Sequence, residues 1–481
     1  MRRGLLAAGL ALLLLAGCAP APAPEVIEPP AQTQTQPPTP IPAPTPPPLE
    51  PLDFYEFQRA VNEARRALMM EEPLPDLTPF TPDYTDELGT FSAAELDVLL
   101  AERGVTEGAL TPTEAREDVE TFFELLRTAY GAYSYFGGDA AFLPVRTAIL
   151  AELEDGEALT AEALEEVLRR RLSPLIREGH FTIGGRHLAD DLEQSMYYVP
   201  DLYFTDTRGL DMDFVRPTIG PDGGIVYCFA ALSPGGAGLP NQIGPYKLGW
   251  HAAQPVTNDR SVLFEERERD GLPILVSRSM MEISGVAEGA AQLERFSACG
   301  EEYRERPVFC FDVRANSGGS DKYGTQWFRG LMGRYPEKRG VFAEKDSDLR
   351  QKVSGGIMSK PHAEGQWVCS TSEGAWADRA GTVFVLMDSG TASAGEGFVG
   401  DMRMVGNTIF VGSNTSGAYL VANNNSCYLP HSGIRVYFGT GLVLGPGGEN
   451  IEGVGFLPDL WVNPVDAEDA VVRLCRYYGL I

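Results

Sequence analysis

The stretch Val383-Phe-Val-Leu-Met-Asp-Ser-Gly-Thr-Ala-Ser393-Ala-Gly-Glu396 decides the reading of this chain. Val383 to Met387 is apolar at every position and of strand length, which marks a strand covered on both faces. A turn of small residues follows, and then a helix that begins near Ser393. A hydroxyl at the mouth of such a turn lies beside helix N–H groups that stabilise a developing oxyanion. Ser is also the commonest helix cap, so the turn alone has two readings. The same pattern occurs upstream: Phe309-Cys-Phe-Asp312-Val-Arg314-Ala-Asn316-Ser-Gly318-Gly319-Ser320 is a buried strand running into a Gly-Gly turn. Further strand-like runs at 224–229 and 273–276, with helical stretches near 281–304, 322–333 and 393–404, give the alternation of an α/β core.

Toward the N-terminus, from Asp53 to Ile176, the pattern is helical. Ser92-Ala-Ala-Glu95 and Thr111-Pro-Thr-Glu114 read as capping boxes, the second with Pro at the first helical position. Val119, Phe122, Phe123, Leu126 and Tyr130 recur at helical spacing, as do Leu164, Val167, Leu168, Leu172, Leu175 and Ile176 after a Thr160 cap. These are core positions.

The first seventeen residues read as a secretory signal: Arg2 and Arg3, then an apolar run too short to span a bilayer. The run closes on Leu15-Ala-Gly-Cys18, which resembles the lipobox of bacterial lipoproteins and implies lipidation at Cys18. Residues 19–51 hold fourteen prolines, the composition of a stiff tether. With 67 Asp and Glu against 39 Lys and Arg, the net charge is −28. Such a surface repels phosphate backbones and anionic headgroups, so nucleic acid is excluded as a partner and any membrane attachment must come through lipid.

Six cysteines remain beyond Cys18, with no CxxC, so neither metal ligation nor a dithiol redox role is expected. At most two disulfides are expected, and Cys310, inside an apolar run, reads as a buried free thiol. The five histidines form no HExxH or similar array, so no metal or organic cofactor is expected.

Taken together and in order, three segments resemble the serine peptidase family of the C-terminal processing (tail-specific) proteases and the tricorn core protease. The family's D-x-R-x-N-x-G-G is matched by Asp312, Arg314, Asn316, Gly318 and Gly319. Its T/S-A-S-A-x-E turn is matched by Thr391 to Glu396, and its closing I-E-G-x-G-x-x-P-D by Ile451, Glu452, Gly453, Gly455, Pro458 and Asp459. The resemblance implies a crotonase/ClpP-like α/β core at 266–481. It is preceded by a helical N-terminal region at 52–187 and a β-rich insertion of unknown role at 188–265. The signal occupies 1–17, and the lipidated cysteine with its linker 18–51.

Two departures bear on mechanism. Where the processing proteases place a lysine base, this chain has Ala418, and no lysine follows Lys360. The tricorn-like branch uses a histidine instead, and Glu178-Gly-His180-Phe181 resembles its D-G-H-T-type segment. The resemblance therefore implies Ser393 as nucleophile, His180 as base and Glu452 as the glutamate that polarises it through a preceding hydroxyl. Gly179 occupies the hydroxyl's position. Backbone N–H groups of Gly318 or Gly319 and of Ala394 form the expected oxyanion hole. The expected protein is a lipid-anchored, extracytoplasmic serine endopeptidase of the cell envelope acting on peptides or unfolded protein. A catalytically inactive peptide-binding lipoprotein and a non-proteolytic acyl hydrolase on the same scaffold are the alternatives.

Overall fold

The protein is described by a computed structural model over residues 50–82, 91–154, 158–258, 261–353 and 367–481. Cys18, the signal and most of the tether lie outside these residues. At the centre is a six-stranded sheet in the order Phe264–Arg269, Leu272–Ser277, Val308–Asp312, Thr382–Met387, Thr408–Gly412, Leu460–Trp461. The first pair is an antiparallel hairpin and every later pairing is parallel. Apolar runs such as Val383 to Met387 arise because both faces of this sheet are covered.

Ten helices are described: α1 (Phe54–Glu71), α2 (Ala93–Leu100), α3 (Pro112–Ala129), α4 (Gly138–Glu154), α5 (Ala161–Leu172), α6 (Gly289–Ala298), α7 (Lys322–Met332), α8 (Asp348–Val353), α9 (Ala394–Met402) and α10 (Ala467–Tyr477). Val383, Val385 and Met387 face α6, α7 and α9 through Phe296, Trp327, Phe328, Phe398 and Val399. Phe384 and Leu386, pointing the other way, meet α10 and Phe54 of α1. The period-two alternation of a strand thus feeds two separate cores.

A second sheet runs Trp367–Ser372, Gly340–Lys345, Arg435–Leu444, Thr182–Ile183, Arg186–His187, with Val421–Tyr428 also paired to Arg435–Leu444. Helices α2 to α5 bury their apolar faces against it. Both anticipated capping boxes are formed, at Ser92 and Thr111, and Thr160 caps α5. A third sheet of four strands, His251–Ala252, Ser195–Phe204, Ile225–Ser233 and Val215–Ile219, lies within 188–265.

The structure departs from the sequence reading in three places. Helix α1 does not join the other N-terminal helices. Its Gln58 donates to Thr382 Oγ1 (2.8 Å), and its Arg65 donates to the Thr408 carbonyl (2.8 Å) and pairs with Asp459, so it belongs to the central sheet. The helix expected from 281 begins only at Gly289, because Gly285 (φ 88°) and Glu288 (φ 55°) are left-handed and break the first turn. The strand Gly340–Lys345 was not anticipated, since Glu344 and Lys345 look like surface residues. Both are buried: Glu344 pairs with Arg350 at 2.6 Å, and Lys345 donates to the Arg127 carbonyl at 2.8 Å. All six described cysteines are free thiols, and Cys310 is fully buried.

Candidate active site

Two parallel neighbours of the central sheet, Val308–Asp312 and Thr382–Met387, end side by side, and the turns that follow them are laced together. The Thr391 hydroxyl donates to the Val313 carbonyl (2.8 Å), and the Ala392 N–H donates to the Asn316 carbonyl (2.9 Å). Asp388 Oδ1 accepts from the Ala315 N–H (2.7 Å) and its Oδ2 from the Val256 N–H (2.8 Å). These bonds hold Ser393 at φ 54°, ψ −121°, a backbone state that costs a non-glycine residue on the order of 1–3 kcal/mol. Ser393 caps α9 and is half-buried.

The Asp-Arg-Asn-Gly-Gly residues have distinct roles. Burial raises the Asp312 carboxyl, but Arg314 and Arg278, both at 2.6 Å, outweigh it and hold the group well below the usual range. Arg314 also donates to the Pro464 carbonyl. Asn316 Nδ2 donates to the Ser277 carbonyl and hydroxyl (3.1 and 3.0 Å), while its Oδ1 accepts the Gly318 N–H (2.9 Å). A Cβ on Gly318 would lie 2.9 Å from Ser393 Cβ and 2.8 Å from the Ala394 nitrogen, so glycine here lets the two turns touch.

That contact bears on which N–H groups are available for the expected oxyanion hole. The Gly318 N–H is committed to Asn316. Gly319 pairs with Met280 through the Gly318 carbonyl and the Ser320 N–H, which leaves its own N–H unused. Among the described residues the N–H groups of Gly319 and Ala394 have no acceptor, and they are the donors available beside Ser393.

Glu396, one turn into α9 and fully buried, joins this turn to the next segment. Its Oε2 accepts from both the Ser393 N–H (3.2 Å) and the Ala418 N–H (2.9 Å). Its Oε1 accepts from the Gly417 N–H (2.8 Å) and the Thr415 hydroxyl (2.6 Å). Burial raises its carboxyl, and these donors work against the rise.

The histidine loop reaches the same place from the other sheet. A Cβ on Gly179 would sit 2.9 Å from Ala418 Cβ and 3.0 Å from the Gly417 carbonyl oxygen, so a side chain there would force its neighbours to shift. Glu452 Oε2 accepts the Gly179 N–H (2.6 Å), and its Oε1 accepts the N–H groups of Tyr419 (2.6 Å) and Leu420. Glu178 Oε2 accepts the N–H groups of His180 (2.5 Å) and Phe181 (3.1 Å), and its Oε1 accepts the Tyr130 hydroxyl (3.2 Å). The expected glutamate-to-hydroxyl-to-histidine relay is therefore replaced: both carboxylates hold backbone and neither holds the ring. Nδ1 and Nε2 of His180 are buried and have no hydrogen-bond partner among the described residues.

Electrostatics follow from that burial. Burial lowers His180 to about 4, with the charge of His187 adding to the effect. Burial and then repulsion from Glu452 raise Glu178 to about 8, and burial raises Glu452 to about 7. Tyr130 is pushed well above its ordinary value by burial and by Glu178.

The structure thus brings Ser393, Ala394, Gly319, Glu396, Ala418, Gly179 and Glu452 into one neighbourhood, with His180 beside Gly179. It records no imidazole-to-hydroxyl bond. Sequence reasoning gave Glu396, although part of the matched turn, and Asp388 no role in the site. Their signal was present, as carboxylates inside turns otherwise made of small residues, where only backbone N–H groups remain to be bonded.

A strained serine between a buried parallel strand and a helix N-terminus, beside two unused backbone N–H groups, is an arrangement suited to a serine hydrolase. Residues 280–462 match the family model described as Peptidase family S41, and the match supports a serine peptidase. Among solved structures, mature CPAF is 11% identical, with 76% of this chain and 96% of that chain covered at a TM-score of 0.43. The photosystem II D1 C-terminal processing protease is 17% identical over 77% and 98%, at 0.38. The tricorn protease is 13% identical over 76% and 37%, at 0.34. No curated protein matches the sequence.

Proposed function

We propose that the protein is a lipid-anchored, extracytoplasmic endopeptidase that cleaves peptides or unfolded protein through a Ser393 acyl-enzyme, in the manner of the tricorn-like branch. The observation that supports it most is the strained backbone of Ser393 beside the free N–H groups of Gly319 and Ala394. Ser393 Oγ attacks the scissile carbonyl as its proton passes to neutral His180, and the oxyanion is met by those two donors. Collapse breaks the C–N bond, and the imidazolium returns its proton to the leaving amine. Water, deprotonated by His180, then hydrolyses the ester. No lysine takes part, since Ala418 stands against Gly179 where a lysine base is placed in the processing proteases.

Labelling by a serine-directed fluorophosphonate, lost in Ser393→Ala, tests this reading. The unpartnered ring of His180 favours the inactive peptide-binding protein as the second reading, and absence of labelling with retained peptide binding would establish it. Anchoring rests on Leu15-Ala-Gly-Cys18 and the proline-rich tether. Cys18→Ser should release the protein from membranes, and unchanged partitioning would exclude lipidation.

A further inference from the structure

Ser393, Gly397 and Gly400 follow one another at helical spacing along α9, with the Gly397 N–H donating to the Ser393 carbonyl (2.8 Å). The Tyr419 ring and the Lys338 side chain lie along this stripe. Tyr419 Cε2 is 3.9 Å from where a Cβ of Gly397 would be, and its hydroxyl is 3.9 Å from that of Gly400, with Lys338 Cδ at 3.3 Å. Beyond them Gly400 borders a cavity of about 180 Å3, walled by Val341, Phe342, Tyr419, Val443, Leu444 and Phe456. A smaller cavity sharing Tyr419, Val443 and Phe456 is lined by Leu420 and Ile451, which flank the bonds of Glu452. Ser370, also in the lining of the larger cavity, is exposed, so that cavity reaches the surface.

The charge of the walls limits what can enter. Lys338, Arg339 and Arg403 each have an acidic partner, in Asp401 (3.2 Å), Glu373 (3.6 Å) and Glu449 (2.8 Å). Among the described lining residues no cation is left uncommitted for a carboxylate, and the rest of the wall is mostly apolar. A dry apolar cavity of about 150 Å3 accepts benzene, so this volume suits a phenyl ring. At about 1.5 Å per helical residue Gly400 lies about 10 Å from Ser393 along α9, which is about three residues of extended peptide.

We infer that this cavity is a substrate subsite for an aromatic side chain, two to four residues from the scissile bond. The inference rests on the serine-peptidase reading of Ser393. In peptides carrying Phe or Ala at each position within four residues of the cleaved bond, one position should prefer Phe by about tenfold or more in kcat/KM. Gly400→Leu on α9 and Val443→Trp on the second sheet should each bring that ratio close to one. In the unaltered protein, toluene should raise KM for the Phe peptide and not for the Ala peptide. No preference at any position, or a preference that survives both substitutions or toluene, overturns the subsite. Calorimetry of Phe and Ala peptides with Ser393→Ala separates the two readings. If the wild type is neither labelled nor active but the Phe peptide still binds more tightly, and toluene displaces it, the subsite stands while the peptidase reading falls. Equal binding of the two peptides removes the subsite whatever the chemistry of Ser393.

Discussion

The turn that carries Ser393 and the loop that carries His180 are both tied down by buried carboxylates, but the bonds have different reach. Around Ser393, Asp388 and Glu396 belong to the turn and its helix, and they draw in neighbouring backbone. Around His180, one clasp is local, Glu178, and the other comes from Glu452, 273 positions away in sequence from the Gly179 it holds. The geometry of the proposed nucleophile is set by carboxylates of its own turn and helix, which bond backbone as far off as Val256, 132 positions away, and Ala418. The geometry of the proposed base is a product of two sheets meeting. The first should resist perturbation of remote residues, and the second should respond to it.

The largest effect should come from the nucleophile itself. Ser393→Ala should lower kcat by several orders of magnitude, with little change in folding free energy by denaturant titration. Ser393→Gly should be equally inactive yet more stable by about 1 kcal/mol, because glycine adopts the positive φ without strain. A destabilised Ser393→Gly would mean that the turn is not strained.

The pH profile sharpens the comparison next. An unperturbed imidazole predicts a rise in kcat/KM between pH 6 and 7, but burial lowers His180 to about 4, so the base is already neutral well below that range. The limb due to His180 should lie near pH 4 and vanish in His180→Ala together with most activity. A second rise near pH 7 should follow ionisation of Glu452, whose negative charge favours the imidazolium formed during attack. Glu452→Gln should remove that rise and leave the lower limb. A single limb between 6 and 7 that survives Glu452→Gln would show that the ring is better solvated than the structure has it.

Restoring the family's hydroxyl probes the crowded contact. Gly179→Ser should destabilise the protein by about 1–3 kcal/mol through overpacking against Ala418, and lower activity as the loop shifts. Ala418→Gly in the same chain should recover much of the loss. No recovery in the double variant would place the strain elsewhere.

A last effect, separate from catalysis, should be on stability against pH. Folded, Glu178 keeps its proton to about pH 8, whereas an unfolded carboxyl loses it near 4.3. The folded state binds more protons across that interval, so this group's contribution to stability falls as pH rises from about 4 to 8. Glu178→Gln should flatten the fall in denaturant midpoints measured at pH 5, 6.5 and 8.

What could be read from the sequence follows the same division. Ser393, the strand before it and the helix after it stood in one contiguous pattern, as did the capping boxes at Ser92 and Thr111. The capture of the Gly318 N–H by Asn316 did not, because a side chain that folds back two residues has the same sequence as one that points away. Nor did the burial of Glu344 and Lys345, whose partners Arg350 and Arg127 come from elements that only packing brings near. Gly179 was legible as a departure from the family pattern but not as a contact. Its lack of a side chain answers to Ala418, 239 positions later.

Trp327 of α7 gives helix α9 an optical reporter. Its indole is fully buried, 4.7 Å from the ring of Phe311 and 5.4 Å from that of Phe398 on α9, and its Nε1 has no hydrogen-bond partner among the described residues. An indole in so dry a setting emits toward the blue and is shielded from aqueous quenchers. Movement of α9 away from α7 would shift that emission to the red, so intrinsic fluorescence can follow the helix that begins at Ser393 without any label.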